Sequence, residues 1–302
     1  MSVTVEKIIK DFDMEVLVEG ENDIEIFVND INRPGLQLSG FYNYFAPERI
    51  QVIGKAEWSF LEAMALELRK KRIDKYFSFN LKCLVITRDL EPQEELLKAA
   101  KKNKIWLMRT RLVTTKFISK LTIYLTGQLA PETRLHGVLV DVYGIGILIT
   151  GESGIGKSET ALELIKRGHR LVTDDAVDIK EIDGELIGRS PRITIGMLEV
   201  RGIGIIDVAS LYGLSSILPE KDIQLLMHFE HWKDDGDYDR LGLNDDRQDI
   251  LGVKVKKLRV PVRPGRNIAV IIEAAAVNYR HSLMSDVTPV DIIESRMDKI
   301  IE

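Results

Sequence analysis

Residues Gly151 to Ser158 read GESGIGKS and satisfy the pattern GxxxxGK[ST] of a phosphate-binding loop. Backbone N–H groups of such a turn, together with the positive end of the helix that follows, make a concave anion site without a dedicated side chain. Gly151, Glu152, Ser153, Gly154, Ile155 and Gly156 would form the cradle, Lys157 would reach the outer phosphates of ATP, and the Ser158 hydroxyl would hold magnesium. Phosphoryl transfer also needs a group that prepares the nucleophile. Asp174 and Asp175 are the best candidates, directly after the apolar run HRLVT. Adjacent carboxylates repel, so one can stay basic while its neighbour takes a metal or a backbone donor. The same pair fits a hairpin turn with two solvated aspartates equally well.

Further candidates are less determined. Glu199, in MLEVRGIGIID, is a carboxylate among apolar residues, a setting that calls for a metal or an arginine because burial without a partner is costly. It is preferred to Asp207, which ends GIGII and also fits ordinary loop chemistry. His136 stands just ahead of a β-rich run, where a lone histidine is usually structural. In the acidic stretch 234–246 (DDGDYDRLGLNDD), Asp235, Asp237 and Asp239 have the first EF-hand spacings, but Arg240 stands where that turn requires glycine. This argues against calcium and for a solvated loop, from which Arg240 could still reach a phosphate as a planar donor. The run Pro261 to Arg266 (PVRPGR) suits an anion-contacting loop as well as a plain turn.

The elements that must position these residues follow from periodicity. Val138 to Tyr143 and Ile145 to Thr150 are β-rich runs separated by Gly144, which predicts an antiparallel hairpin feeding the phosphate loop and hence a mixed sheet. A helix from Ser158 to Arg167 follows, then strands at His169 to Thr173, Val177 to Ile182 and Glu185 to Ile187 with Asp183-Gly184 as a turn. Further strands are expected at Gly202 to Val208 and Val253 to Val262, and a helix at Ile268 to Tyr279. Thr288 and Pro289 would start a last helix with the apolar stripe Val290, Ile293, Met297 and Ile300. The earlier part alternates differently. Strands at Ile24 to Val28, Ile50 to Ile53, Leu84 to Thr87 and Ile105 to Met108 are interleaved with helices at Glu57 to Tyr76, Pro92 to Lys102 and Thr115 to about Thr126. That is βαβ logic and predicts a mainly parallel sheet. The Gly- and Pro-containing segment Thr126 to Thr133 divides the chain into an α/β domain over 1–129 and a phosphate-loop domain over 130–302.

Composition narrows the classes. With 302 residues and 45% hydrophobic content the chain suits two domains of a soluble globular protein. A net charge of −5 and the lack of a long basic run argue against nucleic acid or an anionic membrane as partner. The one cysteine, Cys83, forbids an intrachain disulfide and points to a reducing cytoplasm. The N-terminus lacks the apolar core of a signal peptide, and no apolar stretch approaches the roughly 20 residues that span a bilayer.

In family order, RPGLQLSGF, HGVLVDVYGIGILITGESGIGKSE, LVTDDAV, LEVRGIGIIDV, DRLGL and VPVRPGRN resemble the bifunctional HPr kinase/phosphorylase family of bacterial carbon catabolite control over nearly the whole chain. The resemblance implies that His136 and Lys157 belong to the active site, that Asp175 transfers the proton, that Ser158 and Glu199 hold magnesium, and that Arg240 is catalytic. It also implies that the segment Glu199 to Asp207 serves both directions and that the loop Pro261 to Arg266 serves dephosphorylation. It further implies a homohexamer, a catalytic domain like that of phosphoenolpyruvate carboxykinase, and the phosphocarrier protein HPr as partner, phosphorylated on a regulatory serine by ATP. Inorganic phosphate would be co-substrate of the reverse activity, which releases pyrophosphate. The role of the N-terminal domain is scaffolding or regulation by default. Two other readings use the same loop: a small-molecule or carboxykinase-like phosphotransferase, and a nucleotide-sensing module without turnover.

Overall fold

Two four-residue runs in the first half of the chain, IQVI and CLVI, are buried at every position, the length and burial of strands inside a sheet. The computed structural model describes residues 1–232 and 246–285, together with Ile292 and Arg296. It divides the chain into two units, Met1–Ala130 and Pro131–Glu302. Among the described residues no helix is long and apolar enough to cross a membrane.

The first unit opens with β1 (Val3–Thr4), α1 (Val5–Asp11), β2 (Glu15–Val18), β3 (Glu25–Ile26), β4 (Ile31–Asn32) and α2 (Gly35–Ser39). It continues with β5 (Ile50–Ile53), α3 (Lys55–Glu62), α4 (Leu66–Phe77), β6 (Cys83–Ile86), α5 (Glu94–Asn103), β7 (Trp106–Arg109) and α6 (Thr114–Leu129). The main sheet has the order β2-β7-β6-β5-β4, parallel except for β2 at one edge. Side chains alternate between two cores. Ile53, Leu84, Ile86 and Leu107 pack with Leu61, Ile73, Tyr76 and Leu96, whereas Val52, Cys83, Val85 and Met108 pack with Val5, Ile8, Phe117 and Leu121. A parallel sheet covered by helices on both faces requires this pattern.

Two expectations for this unit need correction. The helix expected over Glu57 to Tyr76 is broken into α3 and α4 at Ala65, whose backbone is extended (φ −59, ψ 140). Leu61 is fully buried but Leu68 is exposed, and α4 instead buries Ile73, Tyr76 and Phe77. The break lets each half turn its own apolar residues inward, Leu61 from α3 and Ile73, Tyr76 and Phe77 from α4. Half of the expected linker is the end of α6, which runs on to Leu129, and its last two residues begin β8 (Glu132–His136). Ala130 is extended (φ −54, ψ 133), as the residue before Pro131 is constrained to be. The strand expected at Ile24 to Val28 is limited to Glu25–Ile26.

The second unit begins with β8 (Glu132–His136), β9 (Val138–Val142), β10 (Ile145–Gly151), α7 (Lys157–Lys166), β11 (Arg170–Thr173), β12 (Ala176–Ile182) and β13 (Glu185–Arg189). Then come β14 (Met197–Val200), β15 (Gly204–Asp207), α8 (Val208–Tyr212), β16 (Glu220–Asp222), β17 (Leu225–His231), β18 (Arg247–Ile250), β19 (Val253–Val262) and α9 (Ile268–Ser282). β9 and β10 pair antiparallel through Tyr143-Gly144, both at positive φ (54 and 88), the two-residue turn that matches strand twist. β10 then pairs parallel with β17, and β17 with β19, so the six-stranded sheet β11-β9-β10-β17-β19-β18 is mixed, as the hairpin requires. On one face, Ile147 and Ile149 pack with α7, α9 and the ribbon β14-β15. On the other, Leu139 and Leu148 pack with Val177, Ile179 and Leu186 of a four-stranded sheet, β16-β13-β12-β8. β8 extends that sheet and takes in the last residues of the expected linker, and Val208, expected to end a strand, begins α8. Asp235, Asp237, Asp239, Arg240 and the stripe Val290, Ile293, Met297, Ile300 lie outside the described residues.

Candidate active site

The loop Gly151 to Ser158 leaves the end of β10 and enters α7. Gly151 has φ 145, and a Cβ there would stand 2.6 Å from the Phe229 carbonyl oxygen, so backbone approach to the neighbouring strand selects glycine. Gly156 takes φ 100 and ψ 22 at the start of α7, a left-handed geometry that other residues adopt at a cost. Ile155 is buried in the main core and anchors the loop from below. The loop therefore turns its backbone outward over a helix N-terminus.

Lys157 is buried, and its Nζ donates to the carbonyls of Gly151 (2.9 Å) and Glu152 (3.0 Å), tying the helix start back under the loop entrance. Burial pushes the Lys157 ammonium below its ordinary pKa, against the pull of Asp174 and Asp175. Ser158 Oγ donates to Asp174, at 2.9 Å from Oδ1 and 3.1 Å from Oδ2. Asp174 follows β11 directly, is buried, and also accepts the Glu199 backbone N–H at 3.0 Å. Burial raises the pKa of its carboxyl, and the hydrogen bonds from Glu199 and Ser158 oppose that shift.

Asp175 differs from its neighbour in every respect. Its backbone is left-handed (φ 68), its side chain is 74% exposed, and its Oδ1 lies 3.0 Å from Nδ1 of His136. The pairing of β8 with β12 sets Ala176 opposite His136, while the Gly137 N–H donates to the Asp175 carbonyl at 3.1 Å. His136, Lys157, Ser158, Asp174, Asp175 and Glu199 thus line one cleft of about 110 Å³ with the glycine-rich loop. Arg201 completes the lining; it lies in the segment Glu199 to Asp207 that the resemblance marked as a whole, without a role of its own.

Asp207 stands apart. Its carboxylate accepts the Ser210 N–H (3.1 Å) and hydroxyl (2.6 Å) as the N-cap of α8, and these bonds hold its pKa below the usual range. The segment Pro261 to Arg266 starts within the last two residues of β19, whose end lies at the same sheet edge as the ends of β10 and β17 because the three are parallel, and only Arg263 to Arg266 lies beyond the strand. It folds on itself: Arg266 Nη1 donates to the Pro261 carbonyl at 2.9 Å, and the Arg263 guanidinium lies 4.8 Å from the centre of the Trp232 ring.

The donor set fits magnesium. Ser158 Oγ and the carboxylates of Asp174 and Glu199 are hard oxygen donors around one cleft, and a buried carboxylate against a loop hydroxyl is what such an ion uses. Among the described residues no group of three or more His, Cys, Asp or Glu side chains could hold an ion by itself.

A mixed sheet that delivers a glycine-rich loop to a helix N-terminus, with a lysine and paired carboxylates around the cleft, defines an α/β phosphotransferase. The HPr serine kinase N-terminus family matches residues 3–125, and the HPr serine kinase C-terminal domain family matches residues 127–297. The chain is 76% identical over 302 residues to the HPr kinase/phosphorylase of Clostridium perfringens strain SM101, covering 100% of this chain and 98% of that protein. It is 75% identical over 300 residues to the HPr kinase/phosphorylase of Clostridium beijerinckii, covering 99% of each. A solved structure of the Hpr(Ser) kinase/phosphatase from Coxiella burnetii aligns with 36% identity and a TM-score of 0.48, over 50% of this chain and 93% of that one. The chain belongs to the HPr kinase/phosphorylase family.

Proposed function

We propose that this chain transfers the γ-phosphoryl group of ATP to a regulatory serine of HPr and, with inorganic phosphate, removes it again as pyrophosphate. The observation that carries the proposal is the His136–Asp175 pair, 3.0 Å apart, on the same cleft as Lys157 and Ser158. The names of the full-length relatives supply the acceptor. In the forward direction the loop N–H groups and Lys157 hold the outer phosphates, and the serine hydroxyl approaches Asp175 from solvent. Asp175 accepts the proton as the oxygen attacks phosphorus, with His136 fixing the carboxylate. Magnesium, held by Ser158 and Glu199 with Asp174 behind them, would neutralise charge on the phosphate oxygens. In the reverse direction an oxygen of inorganic phosphate attacks the phosphoserine phosphorus, the phosphorus–serine oxygen bond breaks, and Asp175 returns a proton to the leaving oxygen. An acid in one direction is the base in the other by microscopic reversibility. The same reading places the chain in bacterial carbon catabolite control, in the cytoplasm, as a homohexamer whose catalytic unit is of the phosphoenolpyruvate carboxykinase type. The first unit serves as scaffold or regulator.

The test mixes the protein with HPr and MgATP, follows phosphoserine-HPr by mass, then removes ATP, adds inorganic phosphate and assays pyrophosphate. Formation followed by loss with matching pyrophosphate is expected. Formation without phosphate-dependent loss would leave a plain protein kinase, and no formation would sink the proposal in favour of a metabolite acceptor or a nucleotide sensor.

A further inference from the structure

We propose that Arg201 is a phosphate-binding residue that grips the terminal phosphate of the nucleotide and, in the reverse direction, the attacking inorganic phosphate. The proposal rests on the phosphotransfer reading above. Three observations carry it.

The first is position. Glu199 and Arg201 are two residues apart on the ribbon, which packs Leu198 and Val200 into the core and so turns Glu199 and Arg201 to the cleft. The guanidinium occupies the space that a side chain at position 154 would take: a Cβ at Gly154 would stand 2.5 Å from Arg201 Nη1 and 3.1 Å from Cζ. Arg201 Nη2 also donates to Ser153 Oγ at 3.3 Å. The arginine is therefore held against the middle of the phosphate loop.

The second is which end of the cleft this is. In such a loop the lysine ammonium marks the outer phosphates, while the helix start takes the inner ones. Here Lys157 Nζ lies under Gly151 and Glu152. Ser153 and Gly154, next along the loop, thus stand at the outer end, and Arg201 lies beside them.

The third is charge. Glu159, Asp174, Asp175 and Glu199 line the same cleft, yet among the described residues Arg201 forms no ion pair, and its one hydrogen-bond partner there is an uncharged hydroxyl. A guanidinium has five N–H donors in a planar fork and stays charged at all relevant pH. Lys157 already commits two of its three N–H groups to carbonyls. A terminal phosphate entering among four carboxylates needs a second cation with donors to give, and Arg201 supplies one. The adenosine end of a nucleotide has other anchors, but inorganic phosphate has none.

The experiment measures binding by calorimetry in the presence of magnesium, using ADP, the non-hydrolysable β,γ-methylene analogue of ATP, and inorganic phosphate, for the wild type, Arg201→Ala and Arg201→Lys. Arg201→Ala should weaken the analogue and phosphate by about 10- to 100-fold, the loss of a charge-assisted contact. ADP, which lacks the terminal phosphate, should bind within twofold of wild type, and Arg201→Lys should fall between. Equal binding of the analogue and phosphate by wild type and Arg201→Ala would overturn the proposal. So would a parallel loss of ADP, which would make Arg201 a prop of the loop. Thermal unfolding checks the fold, and Arg201→Lys carries the comparison should the alanine variant fail to fold. If the wild type itself bound neither the analogue nor phosphate, the phosphotransfer reading would fall, and Arg201's role with it.

Discussion

Asp175→Asn separates basicity from shape at the residue on which the proposed proton transfer depends. The substitution keeps the size and polarity of the side chain. Position 175 is left-handed at φ 68, a conformation that asparagine adopts as readily as aspartate, and the side chain is 74% exposed. The asparagine oxygen can still accept from His136 Nδ1, so the pairing of β8 with β12 is kept. Folding and nucleotide binding should therefore stay close to wild type. What disappears is a positioned base, worth about 10²- to 10⁴-fold in rate, or roughly 3–5 kcal/mol of transition-state stabilisation. The assay is single-turnover formation of phosphoserine-HPr from MgATP and its phosphate-dependent loss, with binding and unfolding measured on the same samples. Both directions should slow by the same order, because one carboxylate takes the proton in one and returns it in the other. Asp175→Ala should slow the reaction comparably and also lower stability by about 1 kcal/mol, since alanine tolerates the left-handed region poorly. If Asp175→Asn kept either direction within threefold of wild type, the assignment of Asp175 as base and acid would be wrong.

Three further outcomes follow from packing and charge. Burial raises the Asp174 pKa above its unfolded value near 4, so its contribution to stability is present in acid and lost as pH rises through the elevated folded range; Asp174→Asn should thus gain on wild type in melting temperature from pH 4 to 7 while losing activity, and a widening deficit over that range would contradict the sign. A Cβ at Gly146 would stand 1.8 Å from the Asp222 carbonyl oxygen, so Gly146→Ala should cost about 1–3 kcal/mol or more in a denaturant titration, and a neutral result would mean that β10 and β16 separate freely. The Cys83 thiol is buried and pushed up to about 12, so a thiol reagent at pH 8 should label it only on unfolding, with a burst of native-state labelling counting against a closed first core.

Legibility in the sequence tracked how far apart the cooperating residues lie. The strand-loop-helix placement of Gly151 to Ser158 was readable because its pattern is fixed within eight residues, and the β9-β10 hairpin because its turn lies between two adjacent runs. The break at Ala65 was not readable, since alanine is the strongest helix former and only tertiary packing of Leu61 against one part of the core and Tyr76 against another ends the helix there. His136 looked structural for the same reason. Its partner lies 39 residues on, and what joins them is β8, whose alternation of exposed and half-buried side chains resembles a loop as much as an edge strand. Arg201 fell inside a segment marked only as a whole, because its place over Gly154 depends on where the ribbon packs.

The pair Asp174-Asp175 shows why local chemistry left function and turn undecided: it lines the cleft and also makes a turn, though not the hairpin with two solvated aspartates, since Asp174 is buried. Thr173 ends β11 in the six-stranded sheet, and Ala176 begins β12 in the four-stranded one, so the two aspartates are the corner where the chain passes between sheets. A two-residue corner has one residue pointing into the junction and one pointing out. Asp174 takes the inward place beside Ser158, where burial raises its pKa and a hydroxyl and a backbone N–H hold it. Asp175 takes the outward, left-handed place beside His136, open to an arriving hydroxyl. The repulsion between adjacent carboxylates is thus relieved by placing them in different environments, and that difference fits one to stand behind a metal and the other to move a proton.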